Sequence, residues 1–227
     1  MEQLKLPQNF SICGNTKSGK TFLTNKILHH LRGEWDVLVI LSPTIKLSGD
    51  FGDFQENQEE GKGPLIYKFD KPKDFQEALN DIVEQQECII INHGKKNTPQ
   101  VVVVLDDMVG NSMLRFKGPI DRLSTKSRHL NISLFVLSQR ISAIPRTYRL
   151  NTQTFILFSI ANYSELEKTL EESVPKSLRN PLREHINEIY DQEYNYLHVN
   201  CFASKISERL YKNGKENIYK MLKGNKQ

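Results

Sequence analysis

Cysteine is scarce. The chain has three, Cys13, Cys88 and Cys201, odd in number and widely spaced, a pattern that suits neither a disulfide framework nor a zinc site. An intracellular, reducing setting is the simplest expectation. Long apolar runs are missing too: none approaches the roughly 20 residues that a bilayer-spanning helix needs. The opening residues, Met1-Glu2-Gln3-Leu4-Lys5-Leu6, lack the basic region and apolar core of a signal peptide. There is no internal repeat and no low-complexity segment. What remains is 227 residues, 38% hydrophobic and 26% charged, enough for one α/β domain with a real core or one domain plus an appendage.

Charge is nearly balanced overall, at +4, but unevenly spread. From Asn111 to Arg149 eight basic residues face Asp121 alone, and from Lys205 onward seven face Glu208 and Glu216. Clusters of this kind can track a phosphate backbone or form ordinary solvated surface. Five acids and no base lie between Asp50 and Glu60.

The organising stretch is Gly14-Asn15-Thr16-Lys17-Ser18-Gly19-Lys20-Thr21. It follows the short apolar run Phe10-Ser11-Ile12-Cys13 and leads into a helical pattern from Phe22. Strand, glycine-containing turn, then helix is the context that a phosphate-binding P-loop requires. A helix start leaves N–H groups unpaired and carries partial positive charge, which favours a polyphosphate. In this pattern Lys20 reaches the β- and γ-phosphates of a nucleoside triphosphate, and the Thr21 hydroxyl can ligate Mg²⁺.

Further strands are expected at Val37–Leu41, Leu65–Phe69, Val101–Leu105, Ile132–Leu137 and Thr154–Ile160. Continuous apolar runs of this length suit strands buried on both faces of a parallel sheet. Helices are expected after the P-loop to about Gly33, from Asp74 to about Asn92, from Pro119 to Leu130, and from Ser164 to Leu170. The last of these is expected to start with Ser164 as cap and Glu167 completing a capping box. Leu47 to Gly63 reads as a surface excursion. Strands alternating with helices mean a mainly parallel sheet flanked by helices. Residues 1–170 form the expected ATPase core and residues 171–227 a small α+β C-terminal extension, with a helix near Leu182–Tyr190 and a hairpin between Tyr194 and Leu210.

Val101 to Leu105 run into Asp106-Asp107, which has the form of a Walker B motif: a buried strand delivers carboxylates to its C-terminal edge. Asp106 is the expected Mg²⁺ partner and Asp107 the general base for the attacking water. Gln139 ends the next apolar strand with the same polarity and is placed to sense the γ-phosphate or orient the water. The guanine-reading Asn-Lys-x-Asp motif of GTPases is missing, since Asn25-Lys26 lies within the first helix and is followed by Ile27-Leu28. A P-loop kinase for a nucleoside or other small metabolite, or a nucleotide-dependent switch or scaffold, remain as rival readings of these motifs.

Ser127-Arg128-His129 before one strand, Ser138-Gln139 at its end, Ile144-Pro145, Arg149-Leu150-Asn151 and Ser42-Pro43-Thr44 together resemble the FtsK–HerA superfamily of DNA-pumping ATPases. Within it the likeness is to the genome-packaging ATPases of poxviruses, other large nucleocytoplasmic DNA viruses and their virophages, over roughly residues 8 to 170. The resemblance implies a P-loop NTPase of the ASCE, RecA-like class that uses ATP and Mg²⁺. It implies a homo-oligomeric ring, pentameric or hexameric, around double-stranded DNA, docked on a viral capsid vertex in the virus factory of the host cytoplasm or in the virion. A ring motor needs an arginine supplied in trans to the γ-phosphoryl group. Arg128 is the first candidate, ahead of Arg149 and Arg122, and His129 reads as structural.

Overall fold

The computed structural model describes residues 4–49, 51–54, 64–106, 108, 118–160 and 162–223. Asp107 and part of the expected excursion, residues 50 and 55–63, lie outside the described residues.

Strand β1 covers Phe10–Cys13, helix α1 Lys20–His30, β2 Val37–Leu41 and the short α2 Ile45–Ser48. Then come β3 (Leu65–Phe69), α3 (Pro72–His93), β4 (Val101–Leu105), α4 (Pro119–Lys126) and β5 (Ile132–Ser138). The short α5 (Arg146–Leu150), β6 (Thr154–Phe158), α6 (Tyr163–Ser173), α7 (Lys176–Glu184) and α8 (Ile186–Ile189) follow. The chain closes with β7 (Tyr196–Asn200), β8 (Leu210–Lys212), β9 (Glu216–Asn217) and α9 (Tyr219–Lys223).

The nine strands among the described residues form one sheet in the order β3-β2-β4-β5-β1-β6-β7-β8-β9. The six from β3 to β6 are parallel; β7, β8 and β9 extend the sheet antiparallel. Side chains alternate between faces along a strand, so an apolar run fills two cores at once. Val101, Val103 and Leu105 enter one core with α3, α4, α6 and α7, while Val102 and Val104 enter the other with α1. In that second core Phe10 stacks on Phe135, with ring centroids 4.0 Å apart.

The chain leaves β1 for α1 on one face, whereas α4 and α5, which flank β5, lie on the other. Strand ends therefore part beside β1, and a crevice opens at the C-terminal edge of the sheet, where α/β proteins of this kind bind ligands.

Several local expectations are corrected. Asn162, not Ser164, caps α6: its Oδ1 accepts from the N–H groups of Ser164 and Glu165 at 2.9 and 3.3 Å. Glu167 does not reach back to complete a capping box; it pairs with Arg183 of α7. The expected surface excursion holds two anchors, since Phe51 and Phe54 are fully buried against the α1 side. The helix expected near Leu182–Tyr190 is two pieces, α7 and α8, and the expected helix from Pro119 stops at Lys126, before a turn. The basic C-terminal stretch is partly structural: Leu210, Ile218 and Leu222 are core residues, and Lys212 bonds Asp191 at 2.8 Å. No helix among the described residues is long and apolar enough to cross a membrane.

Candidate functional site

The P-loop is set by close approach and by handedness. A Cβ on Gly14 would stand 2.5 Å from Cβ of Phe158 and 2.7 Å from Ser18 Oγ, so only glycine fits. Gly19 has φ +94°, the left-handed region that a side chain disfavours, and it turns the loop into the start of α1. Gly14 N–H donates to the carbonyl of Ser138 at 3.2 Å, tying the loop to the end of β5.

Lys20 Nζ donates to the carbonyls of Gly14 and Asn15 at 2.9 and 2.7 Å, so its ammonium lies folded over the loop. Thr21 Oγ1 donates to Asp106 Oδ2 at 3.1 Å. Asp106 is buried at the end of β4, where its N–H donates to the Leu41 carbonyl at 3.0 Å. β4 is not adjacent to β1; β5 lies between them and brings Gln139 to the same edge. A cavity of about 400 Å³ results, lined by the loop from Thr16 to Phe22 together with Thr44, Asp106, Leu137, Ser138 and Gln139. Ser18 Oγ is buried without a hydrogen-bond partner among the described residues, so the loop does not satisfy all its own polar atoms.

Hydroxyl and carboxylate oxygens facing each other are hard donors. Such a pair, completed by phosphate oxygens and water, fits Mg²⁺ and not a thiophilic metal. Among the described residues no cluster of three or more His, Cys, Asp or Glu side chains could hold a metal by itself. Cys13 stands directly before the loop, but burial pushes its thiol up to about 12, which makes it a packing residue and not a nucleophile.

Lys20, Thr21, Asp106 and Gln139 are thus brought together, and Asn15, Thr16, Lys17 and Ser18 complete the loop. Arg128 is not with them. It is exposed, in the turn before β5, at the opposite end of that strand from Gln139. The seven residues of β5 span about 23 Å at roughly 3.3 Å each, farther than an arginine reaches, so Arg128 cannot touch its own chain's phosphates. Its guanidinium lies over the Phe202 ring, 5.4 Å from the centroid, and its carbonyl accepts from Lys95 Nζ at 2.8 Å. Arg149 is committed elsewhere: its guanidinium bonds the carbonyls of Ile141 and Ile144 and pairs with Glu172. Arg122 is exposed on α4.

One residue beside the loop escaped sequence reasoning. Tyr194, between α8 and β7, is 59% exposed and packs on Gly19. It is one of three tyrosines close together, with Tyr190 and Tyr196, and nothing in that pattern singles it out for the loop.

The sequence family described as Poxvirus A32 protein matches residues 2–208. No curated protein matches significantly. Among solved structures of similar fold is the genome packaging NTPase B204 from Sulfolobus turreted icosahedral virus 2 in complex with ATP-gammaS. It is 15% identical with TM-score 0.63, over 90% of this chain and 95% of that one. B204 of Sulfolobus turreted icosahedral virus gives TM-score 0.64 at 13% identity, over 90% and 96% of the two chains. The pCW3 conjugation coupling protein TcpA with ATPgS gives 0.58 at 14%, over 90% of this chain and 59% of that one.

Proposed function

Because the chain belongs to the poxvirus A32 protein family, and so to the viral packaging ATPases of FtsK–HerA type, we propose that it hydrolyses ATP to drive double-stranded DNA into a preformed capsid. The observation that carries the ATPase reading is the 3.1 Å contact of Thr21 with Asp106, which brings a P-loop hydroxyl and a strand-end carboxylate to one cavity.

In this reading the loop N–H groups and Lys20 bind the β- and γ-phosphates. Lys20 exchanges the two loop carbonyls that now hold it for phosphoryl oxygens. Thr21 and Asp106 would hold Mg²⁺, whose positive charge offsets that of the phosphates. Asp107 is assigned the proton of the attacking water; it lies outside the described residues. Gln139 orients that water from the end of β5. Arg128, held away from its own cavity, is assigned to a neighbouring subunit's γ-phosphate in a ring of five or six copies. Charge on the phosphoryl oxygens in the transition state makes such an arginine worth about 10³–10⁵ in rate. Double-stranded DNA is the polymer moved, a capsid vertex the docking partner and the infected cell's cytoplasm the place of action.

The experiment is ATPase turnover of the full chain with and without duplex DNA. The expected result is Mg²⁺-dependent turnover that duplex DNA stimulates. Turnover indifferent to DNA, together with phosphoryl transfer to a nucleoside or other small acceptor, would overturn the motor in favour of a kinase. Nucleotide binding without turnover would leave only a switch.

A further inference from the structure

Tyr194 has no part in the site described so far, and its surroundings are unusual for an exposed aromatic. A Cβ on Gly19 would lie 3.2 Å from Tyr194 Cδ1 and 3.7 Å from the Phe158 ring, so the tyrosine leans directly on the last glycine of the P-loop. Its φ is +66°, a conformation that a bulky L-residue adopts only when its surroundings impose it. Those surroundings are well defined. Asn195, the next residue, is buried; its Nδ2 donates to Asp191 Oδ1 at 2.7 Å and its Oδ1 accepts from Asn213 Nδ2 at 2.7 Å. Lys212 Nζ bonds Asp191 Oδ1 at 2.8 Å, and Tyr196 N–H donates to Asn213 Oδ1 at 2.9 Å. The turn that carries Tyr194 is therefore pinned from β7 and β8, and its ring is held out beside the loop.

The side on which it stands is informative. The cavity with Asp106 and Gln139 lies on the β5 and β4 side of β1, while Tyr194 precedes β7, on the β6 side. A triphosphate laid along the loop with its γ end at Asp106 and Gln139 directs its nucleoside away from β4 and β5, toward β6 and β7. An exposed aromatic ring in that direction is available to whatever leaves the loop.

We propose that Tyr194 is the stacking platform for the nucleobase of the bound nucleoside triphosphate. The proposal rests on the nucleotide-binding reading above and adds a site for the base. Stacking alone reads no hydrogen-bond pattern, because every base has a π-face. The platform therefore supplies affinity without choosing between adenine and guanine.

Titration calorimetry of the full chain with Mg²⁺, using ATP, GTP and inorganic triphosphate as separate probes, tests it. Glycine tolerates the left-handed turn, so Tyr194→Gly removes the ring and keeps the backbone. Its Kd for ATP and for GTP should rise about tenfold or more, the range that base–aromatic stacking supports, while the Kd for inorganic triphosphate stays within about twofold. Tyr194→Phe should bind like the parent. Tyr194→Leu, which keeps bulk against Gly19 but has no π-face, should lose ATP affinity as the glycine variant does, and it serves if the glycine variant does not fold. Equal weakening of ATP and inorganic triphosphate would overturn the platform and make Tyr194 a support of the loop. Unchanged ATP affinity would overturn it outright. A parent chain that binds inorganic triphosphate and no better with a nucleoside attached would also remove it, whereas a parent that binds neither probe defeats the nucleotide reading itself.

Discussion

The two ends of the parallel strands use the same residue types for opposite purposes. At the N-terminal edge, Asn9 is buried, donates from Nδ2 to the carbonyls of Ser124 and Asn151 at 3.3 and 3.2 Å, and accepts from Ser127 Oγ at 3.1 Å. Nearby, Tyr148 OH donates to the carbonyls of Phe10 and Leu134 at 2.7 and 2.9 Å, and Ser11 meets Thr152 at 3.0 Å. These groups satisfy one another and face no solvent. At the C-terminal edge, Gln139 is exposed, and Thr21 and Asp106 meet at the wall of an open cavity. A polar residue whose bonds close on its neighbours holds the sheet together, and one that faces a cavity is available to a ligand. Arg128 is among the exposed residues at the N-terminal edge, as its assignment to another subunit requires.

If this division is right, substitutions at the two edges should separate activity from stability. The largest effect is expected at Lys20. Lys20→Ala removes the cation proposed for the β- and γ-phosphates, so ATP turnover should fall to background while the thermal midpoint hardly moves. Steady-state turnover and a melting curve on the same preparation check both halves. A variant that melts early would mean that Lys20 supports the loop itself.

Asn9→Leu should do the reverse. It removes three hydrogen bonds from the core, each worth about 0.5–1.5 kcal/mol net, so stability should fall by roughly 3 kcal/mol in chemical denaturation. ATP affinity of the molecules that remain folded should be unchanged.

The next effect is a pH dependence on β7. His198 is buried, its Nε2 has no partner among the described residues, and burial lowers its pKa from 6.5 to about 4. The unfolded chain takes up the proton first as pH falls, so the neutral imidazole's contribution is complete above about pH 6.5 and is lost as pH drops toward 4. The loss is up to about 3 kcal/mol. Denaturation midpoints between pH 7 and 4 should fall more steeply for the parent than for His198→Phe; parallel curves would show that His198 is not the source.

Smallest is Gln139→Ala. Stability should change by no more than about 0.5 kcal/mol, as for other exposed positions. The turnover number should fall roughly tenfold, about 1.4 kcal/mol in the barrier, with KM for ATP little affected.

The sequence made the strands legible because strands buried on both faces are largely apolar. Val101–Leu105 and Ile132–Leu137 read as strands on that ground, and glycines before a helix announce the loop. Polar strand ends were legible only as polar. Asn9 and Gln139 look alike in sequence, and only the strand order and the bonds around each tell a structural amide from an available one. Ser164 looked like a cap because the capping pattern is local, but Asn162 two residues earlier fits the turn, and Arg183 from another helix takes Glu167. Phe51 and Phe54 sit in an acidic, polar stretch whose composition hid them. Tyr194 was invisible for a similar reason: its partner Gly19 is far away in the chain, and no residue pattern signals a left-handed tyrosine.

The claim that joins the two edges is that Arg128 at one subunit's N-terminal edge completes the ATP site at another subunit's C-terminal edge. Mixing two inactive variants tests it most directly. Arg128→Ala subunits keep their own loop and Lys20→Ala subunits keep the arginine, so neither should hydrolyse ATP alone, and both should bind the ring partners that the parent binds. Mixed together, they should recover part of the parent's ATPase at interfaces that pair an intact loop with an intact Arg128. Mixed assemblies of normal size with no recovered turnover would contradict it, as would a monomer of the parent chain that hydrolyses ATP at the full rate.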